Sequence, residues 1–440
     1  MKHLYLLLTL CLPALLQAQT NTWRFDLGSG KLTEGYKPVT ATTFYNDQTG
    51  YGFEPGAVLR AVDRGGKDPL KSDFITGQLP FFFSVKLPEG NYHVTVILGD
   101  ADSASVAAIR VENRRMMVQQ VKTKRKQFAT VHFTVHVRDS LIHGTERQVR
   151  LKPREGSYLH WDNKLTIEFN DAAPKVCAIE IAPAMDVTTV FLAGNSTVVD
   201  QTGEPFASWG QMIPAFFQPG KIAIANYAES GEALTSFRSA HRLDKILALM
   251  KQGDYLFIEF GHNDQKQKGE GIGAFTSYAA DLKYYISETR KRGGIPVLVT
   301  SMHRRSFDST GKIVNTLGDY PAAVRKTAVE ERVAMIDLNN MSKTLYEAWG
   351  PDKSQLAFVI YPANTFPGQE KALKDNTHFN TYGAYEIARC IVEGIKKNKL
   401  ALMYFLKKDI PAFDPAKPDE VKAWHWPLSP RLNITKPDGN

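Results

Sequence analysis

Five residues in this chain have the types that hydrolysis of an ester by a serine requires: Ser196, Gly231, Asn263, Asp375 and His378. A serine hydroxyl is a weak nucleophile until a neighbouring base takes its proton. His378 is the candidate base. Asp375 lies three residues earlier, so one short turn brings its carboxylate to Nδ1, where it fixes the tautomer and stabilises the imidazolium. The oxyanion of a tetrahedral intermediate needs donors. The backbone N–H groups of Ser196 and Gly231 and the side-chain amide of Asn263 are the candidates. These residues fall in four separate blocks: Gly194-Asn195-Ser196-Thr197, Gly231, Gly261-His262-Asn263-Asp264 and Asp375-Asn376-Thr377-His378. Each has a plainer role when taken singly. Ser196 suits a helix cap, Gly231 a turn and His378 a loop. Asn195-Ser196-Thr197 and Asn433-Ile434-Thr435 are also glycosylation acceptor sequences. Their occurrence together, in this order, is what points to catalysis.

The elements that would position them are legible in the second half. Val190–Ala193, Ile222–Ala225, Tyr255–Glu259, Ile295–Val299 and Val333–Ile336 are short apolar runs. Helical patterns over Tyr278–Lys291, Tyr320–Glu331 and Tyr382–Lys397 lie between or after them. Strands apolar throughout, alternating with helices, imply a parallel sheet covered on both faces, an α/β domain. Ligands of such sheets sit beyond the carboxyl ends of the strands. Ser196, Gly231 and Asn263 each fall just after a predicted strand.

The first half has another rhythm. Phe81–Leu87, Tyr92–Leu98, Val131–Val137 and Leu165–Phe169 alternate apolar and polar residues, as half-buried antiparallel strands do. Pro88-Glu89-Gly90-Asn91 suits a turn between two of them. This half reads as a β-sandwich. The expected organisation is multidomain: an export signal over 1–18, a β-sandwich over 20–185, an α/β hydrolase domain over 186–408, and a proline-rich strap over 409–440. The strap contains Trp424-His425-Trp426, expected to be buried against the body, with a sugar-stacking platform as the alternative.

Lys2, the apolar run Leu4–Leu16 and the small Ala18 form the expected signal, too short to span a bilayer. Cys11 does not make a lipoprotein site, because bulky Leu10 precedes it. The expected location is therefore periplasmic or extracellular. Cys177 and Cys390 then remain, far too few for a disulfide scaffold, and are expected as buried thiols. The 54 basic and 46 acidic residues leave a net charge of +8. No long basic run favours nucleic acid, and no membrane partner is expected. The excess charge would attract an acidic substrate.

The four blocks resemble those of the SGNH, or GDSL-like, hydrolases, most closely the rhamnogalacturonan acetylesterase branch, over about Val190 to Lys397. Gly194, Ser196 and Thr197 match the first block. Asn226 and Gly231 match the second, Gly261-His262-Asn263-Asp264 the third, and Asp375 with His378 the last. The resemblance implies a three-layer α/β/α fold and no metal or organic cofactor. It also implies Ser196 as nucleophile, His378 as base, Asp375 as its partner, and Gly231 and Asn263 in the oxyanion hole. An acetylated polysaccharide or oligosaccharide is the implied substrate. Two positions depart from the pattern: Asn195 stands where Asp is usual, and Glu232-Ala233 where Arg-Ser is frequent. The first half is similar to the galactose-binding-like sandwiches that accompany such esterases. A sibling esterase of xylan, sialate or lipid is the alternative, as is a glycan-binding protein with an inactive hydrolase domain.

His262, Asp264 and His303 lack the tight spacing of a metal site. His303-Arg304-Arg305, after the fourth strand, falls where substrate would lie; arginine there could hold a uronate carboxylate through two hydrogen bonds, with a solvated basic loop as the alternative.

Overall fold

A computed structural model describes residues 22–439. The expected export signal lies outside the described residues. The first half forms two packed sheets, antiparallel except for the parallel pair Trp23–Leu27 and Lys37–Val39. One is seven-stranded, with Gln127–Val137, Gly90–Asp100, Lys175–Pro183, Trp23–Leu27 and Lys37–Val39 in that spatial order and the pair Leu59–Asp63 and Asp73–Gly77 at its side. The other is five-stranded: Tyr51–Phe53, Phe81–Lys86, Lys164–Ala173, Ser105–Val111 and Arg115–Thr123. The alternation seen in sequence turns Val94, Val96 and Leu98 inward from one sheet and Phe81, Phe83 and Val85 from the other. Aromatic edges fill the middle. The Phe25 and Phe83 ring centroids are 5.2 Å apart at 71°, and those of Phe53 and Phe83 are 5.4 Å apart at 68°, edge-to-face geometries that aromatic pairs favour.

The second half is a parallel sheet of five strands in the spatial order Ile222–Asn226, Thr188–Gly194, Tyr255–Glu259, Ile295–Val299, Ala334–Ile336. Period-2 alternation inside fully apolar strands sends side chains to two cores. Leu192, Phe257, Val297 and Val299 join the helices Leu338–Lys353 and Thr381–Lys397 on one face. Phe191, Leu256, Ile258 and Leu298 join Arg242–Leu249, Ala279–Lys291 and Tyr320–Glu331 on the other. The three-layer expectation therefore holds. So does the sandwich that precedes it.

The strand order reverses between Thr188–Gly194 and Tyr255–Glu259. Crossovers leave this point in opposite directions and open a crevice at the carboxyl ends of the two strands. Ser196 follows the first of these strands and Asn263 the second.

The two halves are joined through buried charge. The hairpin Glu112-Asn113-Arg114, held with positive φ at Glu112 and Arg114, reaches from the sandwich into the loop that follows Ser196. Arg115 pairs with Asp200 at 2.8 Å and Arg114 with Glu204 at 2.8 Å, all four side chains out of solvent. Arg242 of the hydrolase half pairs with Glu155. Such groups are held in a low-dielectric interior only because each has its partner.

The strap crosses both halves. Trp424 lies 4.4 Å from the Tyr385 ring and is stacked with Trp426 at 5.9 Å and 14°. The Arg110 guanidinium sits 3.8 Å over Trp426. Both tryptophans are half-buried. Further on, Glu204 and Leu432 form a parallel bridge. Cys177 and Cys390 are buried free thiols. Among the described residues no helix is long and apolar enough to cross a membrane.

Candidate active site

Ser196 sits in a tight turn at the end of its strand. Val198 N–H and Val199 N–H both donate to Asn195 O at 3.0 Å. The turn is close enough that a Cβ on Gly194 would lie 2.5 Å from Val198 Cγ2 and 3.1 Å from Glu259 O. Only glycine lets the chain leave the strand here. Gln201 Nε2 donates to Ser196 O at 2.8 Å and steadies the turn from the far side.

Asp375 and His378 lie on the strand Leu373–Phe379, paired antiparallel with Phe358–Tyr361. The expectation was a short turn. The pairing explains how a strand serves instead. Phe379 faces Phe358 and Lys374 faces Ile360, so four residues, 375–378, stand opposite Val359 alone. A regular strand would send residues three apart to opposite faces. The bulge folds them toward each other.

Ser196 Oγ lies 2.8 Å from His378 Nε2, and His378 Nδ1 lies 2.7 Å from Asp375 Oδ2. The second carboxylate oxygen accepts from Thr377 N–H at 2.8 Å and His378 N–H at 3.0 Å. Burial would raise the Asp375 carboxyl, but the imidazole and these two N–H groups outweigh it and hold it below the usual range. The acid is therefore a carboxylate, Nδ1 keeps its proton, and Nε2 presents a lone pair to the serine hydroxyl. Phe206 closes one edge of the imidazole, with ring centroids 5.9 Å apart at 84°.

Gly231 has φ +83°, a left-handed conformation that favours glycine. Asn263 donates through Nδ2 to Glu232 O at 3.0 Å, which ties the third block to the second. Asp264 completes the tie: its carboxylate accepts from Leu234 N–H at 2.9 Å and Gly261 N–H at 2.8 Å. Burial outweighs these bonds and pushes the Asp264 carboxyl up to about 7. An amide has two hydrogens, so Asn263 keeps one for an oxyanion. Among the described residues, neither Ser196 N–H nor Gly231 N–H donates to another protein group. All five predicted site residues thus belong to blocks that the fold gathers at the crevice.

Asn195, the departure from the family pattern, is engaged locally. Its Oδ1 accepts from Thr197 N–H at 3.1 Å and lies 2.9 Å from Thr197 Oγ1. Thr197 Oγ1 is also 3.1 Å from Glu259 Oε1. One hydroxyl hydrogen cannot serve both. Burial pushes the Glu259 carboxyl up to about 8, so at neutral pH it carries a proton to donate to Thr197. Glu259, Thr197 and Asn195 Oδ1 then form one donor-to-acceptor series, while Asn195 Nδ2 is buried without a partner among the described residues. Glu259 was not singled out from sequence. Its signal was an acid ending the otherwise apolar strand Tyr255-Leu256-Phe257-Ile258.

The arginine loop differs from expectation. His303 is buried. Arg305 is spent on Ser354 Oγ, Asn376 Oδ1 and Pro351 O. Arg304 is half-buried, reaching Thr316 O at 3.3 Å and His262 O at 3.4 Å. The loop braces the bulge from behind and offers no free fork to a substrate. The Asp264 carboxylate is bonded to two backbone N–H groups.

A serine, a histidine and an aspartate hydrogen-bonded in series at the switch point of a doubly wound sheet can carry out serine hydrolysis. Residues 192–384 match the GDSL-like Lipase/Acylhydrolase family, and residues 23–137 match the Beta-agarase/YXIM esterase-like, galactose-binding domain-like family. Rhamnogalacturonan acetylesterase RhgT of Bacillus subtilis is 42% identical over 215 residues, 48% of this chain and 91% of that protein. Probable rhamnogalacturonan acetylesterase YesY of the same organism is 33% identical over 225 residues, 50% of this chain and 98% of that protein. The uncharacterized esterase YxiM is 28% identical over 394 residues, 87% of this chain and 93% of that protein, so it matches across both halves. The chain belongs to the GDSL-like lipase/acylhydrolase family and is a carboxylic ester hydrolase.

Proposed function

We propose that this protein removes acetyl groups from an acidic, pectic polysaccharide of the rhamnogalacturonan type, with Ser196 as nucleophile. The relay Ser196–His378–Asp375, closed at 2.8 and 2.7 Å, carries the reading. Ser196 Oγ attacks the ester carbonyl while its proton passes to His378 Nε2. Asp375 stabilises the imidazolium that forms. The N–H groups of Ser196 and Gly231 and the free hydrogen of Asn263 hold the oxyanion. His378 returns the proton to the sugar hydroxyl as it leaves. Water, deprotonated by His378, then releases acetate and restores Ser196.

The pectic choice is supported by the relatives named for rhamnogalacturonan and by the net charge of +8. Export is part of the proposal, since a pectic polymer does not enter the cell intact. Acetate release from acetylated rhamnogalacturonan, acetylxylan and acetylated sialosides tests it. Preference for the first is expected. Equal rates on all three, or preference for a neutral polymer, would reject the pectic reading and leave the esterase standing.

A further inference from the structure

The candidate nucleophile is covered. Ser196 is 3% exposed, His378 1% and Asn263 8%. Two residues of the strap, Asp438 and Gly439, lie against neighbouring blocks of the site. Asp438 lies against Gly231: a Cβ on that glycine would be 2.9 Å from Asp438 Cβ. Gly439 lies against Asn263 so closely that a Cβ there would be 2.6 Å from Oδ1. Residues 438 and 439 of the strap therefore sit on the two elements to which the proposed mechanism gives the oxyanion.

Two cations hold them. The Asp438 carboxylate pairs with Arg154, and Lys266 Nζ donates to Gly439 O. Arg154 comes from the short 3-10 turn Pro153–Ser157, outside the stretch matched to the hydrolase family. It is built in, not left dangling. Its guanidinium donates to Glu229 Oε1 at 2.6 Å, Ser230 O at 2.9 Å and Tyr158 Oη at 3.1 Å, and still has an edge for Asp438. Lys152, beside it, pairs with Glu232 at 2.8 Å and donates to Ser230 O at 2.5 Å. The cation is thus fixed at the same backbone segment, 229–232, that carries Gly231. A planar guanidinium held on one side and open on the other is suited to a carboxylate.

We propose that Arg154, with Lys266 opposite, forms a carboxylate subsite beside the oxyanion hole, that it takes a hexuronate carboxylate of the substrate, and that Asp438 occupies it in the resting chain. The subsite rests on the acidic-substrate reading above and gives it a residue, replacing the arginine loop that the fold spends elsewhere. The strap is anchored at Glu204–Leu432, so residues beyond it can leave without disturbing the two domains. An occupant of this kind lowers the apparent affinity for any competing carboxylate in proportion to the time it is bound.

The test is inhibition of p-nitrophenyl acetate hydrolysis by galacturonate and by galactose, in the full chain and in a chain ending at Ile434. Removal of the last residues should raise kcat/KM on p-nitrophenyl acetate and tighten galacturonate inhibition by about tenfold, the scale of one charge-assisted hydrogen bond, with galactose inhibition unchanged. Asp438→Asn in the full chain, at an exposed position, should move galacturonate in the same direction. Arg154→Gln in the shortened chain should erase the difference between galacturonate and galactose, and Arg154→Lys should restore part of it. Equal inhibition by the two sugars in the shortened chain would overturn the subsite. Unchanged galacturonate inhibition on shortening would overturn the occupant. Neither result touches the esterase reading, which p-nitrophenyl acetate turnover by the full chain tests separately.

Discussion

At the scale of single residues, the position of a few protons decides catalysis. Ser196→Ala removes one hydroxyl from a turn held by backbone bonds, so the fold should stand and turnover should fall by on the order of 10⁴-fold or more. Retained acetate release would end the serine mechanism. Asp375→Asn is more pointed. Oδ1 already accepts from Thr377 N–H and His378 N–H, so the amide oxygen should stay there and Nδ2 should face His378 Nδ1. The imidazole would then carry its proton on Nε2, toward the serine, and could not act as base. A loss of on the order of 10³–10⁴ in kcat with little change in KM is expected; unchanged kcat would remove Asp375 from the relay. Asn263→Ala should cost about 10²–10³ in kcat. These residues were legible in sequence because each sits in a short block where residue type alone limits the chemistry. Arg154 and Asp438 were not, because an arginine in a short connecting turn and an aspartate in a proline-rich strap carry no pattern. Only the fold brings them together, 284 positions apart.

At the scale of elements, the strands and long helices of the α/β half could be read from periodicity. The helix Leu338–Lys353 could not. Its start, Leu338-Asn339-Asn340, has the composition of a loop, and Gly350-Pro351 breaks its end. The bulge at 375–378 was invisible too, since a bulge is defined by its partner strand. The strand end at Glu259 yields a prediction with a definite sign. Its folded value, about 8, lies above its ordinary 4.5. Between those values the folded chain keeps a proton that the unfolded chain has released, so this group makes stability fall as pH rises across that window. Glu259→Gln cannot ionise, and its NH₂ can donate to Thr197 Oγ1 as the protonated acid does. The variant should lose less stability from pH 5 to 8, by on the order of a few kcal/mol. Melting temperatures across that range check it; parallel curves for variant and wild type would mean Glu259 is ionised in the fold.

At the scale of the whole molecule, the sandwich is a structural part of the active site. Arg115 neutralises Asp200, whose other oxygen accepts from Asn226 Nδ2 at 2.8 Å, and Asn226 also donates to Val198 O in the nucleophile turn at 2.7 Å. Arg115→Ala should strand a buried carboxylate and cost about 3–5 kcal/mol, with acetate release falling alongside. Adding Asp200→Asn should recover much of the stability. Urea unfolding decides, and an Arg115→Ala midpoint equal to wild type would make the junction incidental. Nothing in the sequence of Arg114-Arg115 announced this, because charge in a strand usually faces solvent. The global charge was legible, and it predicts that kcat/KM on acetylated rhamnogalacturonan falls with added salt while that on acetylxylan holds. Ions shorten the reach of charge to ~8 Å at physiological strength. Equal salt dependence would remove long-range attraction from the account.

The central claim is that Ser196 is the acylated nucleophile. Reaction of the full chain with diisopropyl fluorophosphate, followed by peptide mass mapping, tests it most directly. One phosphoryl adduct per chain is expected, on the peptide carrying Ser196, with p-nitrophenyl acetate turnover lost in proportion to labelling. An adduct on another residue, or full turnover by a chain labelled at Ser196, would contradict it.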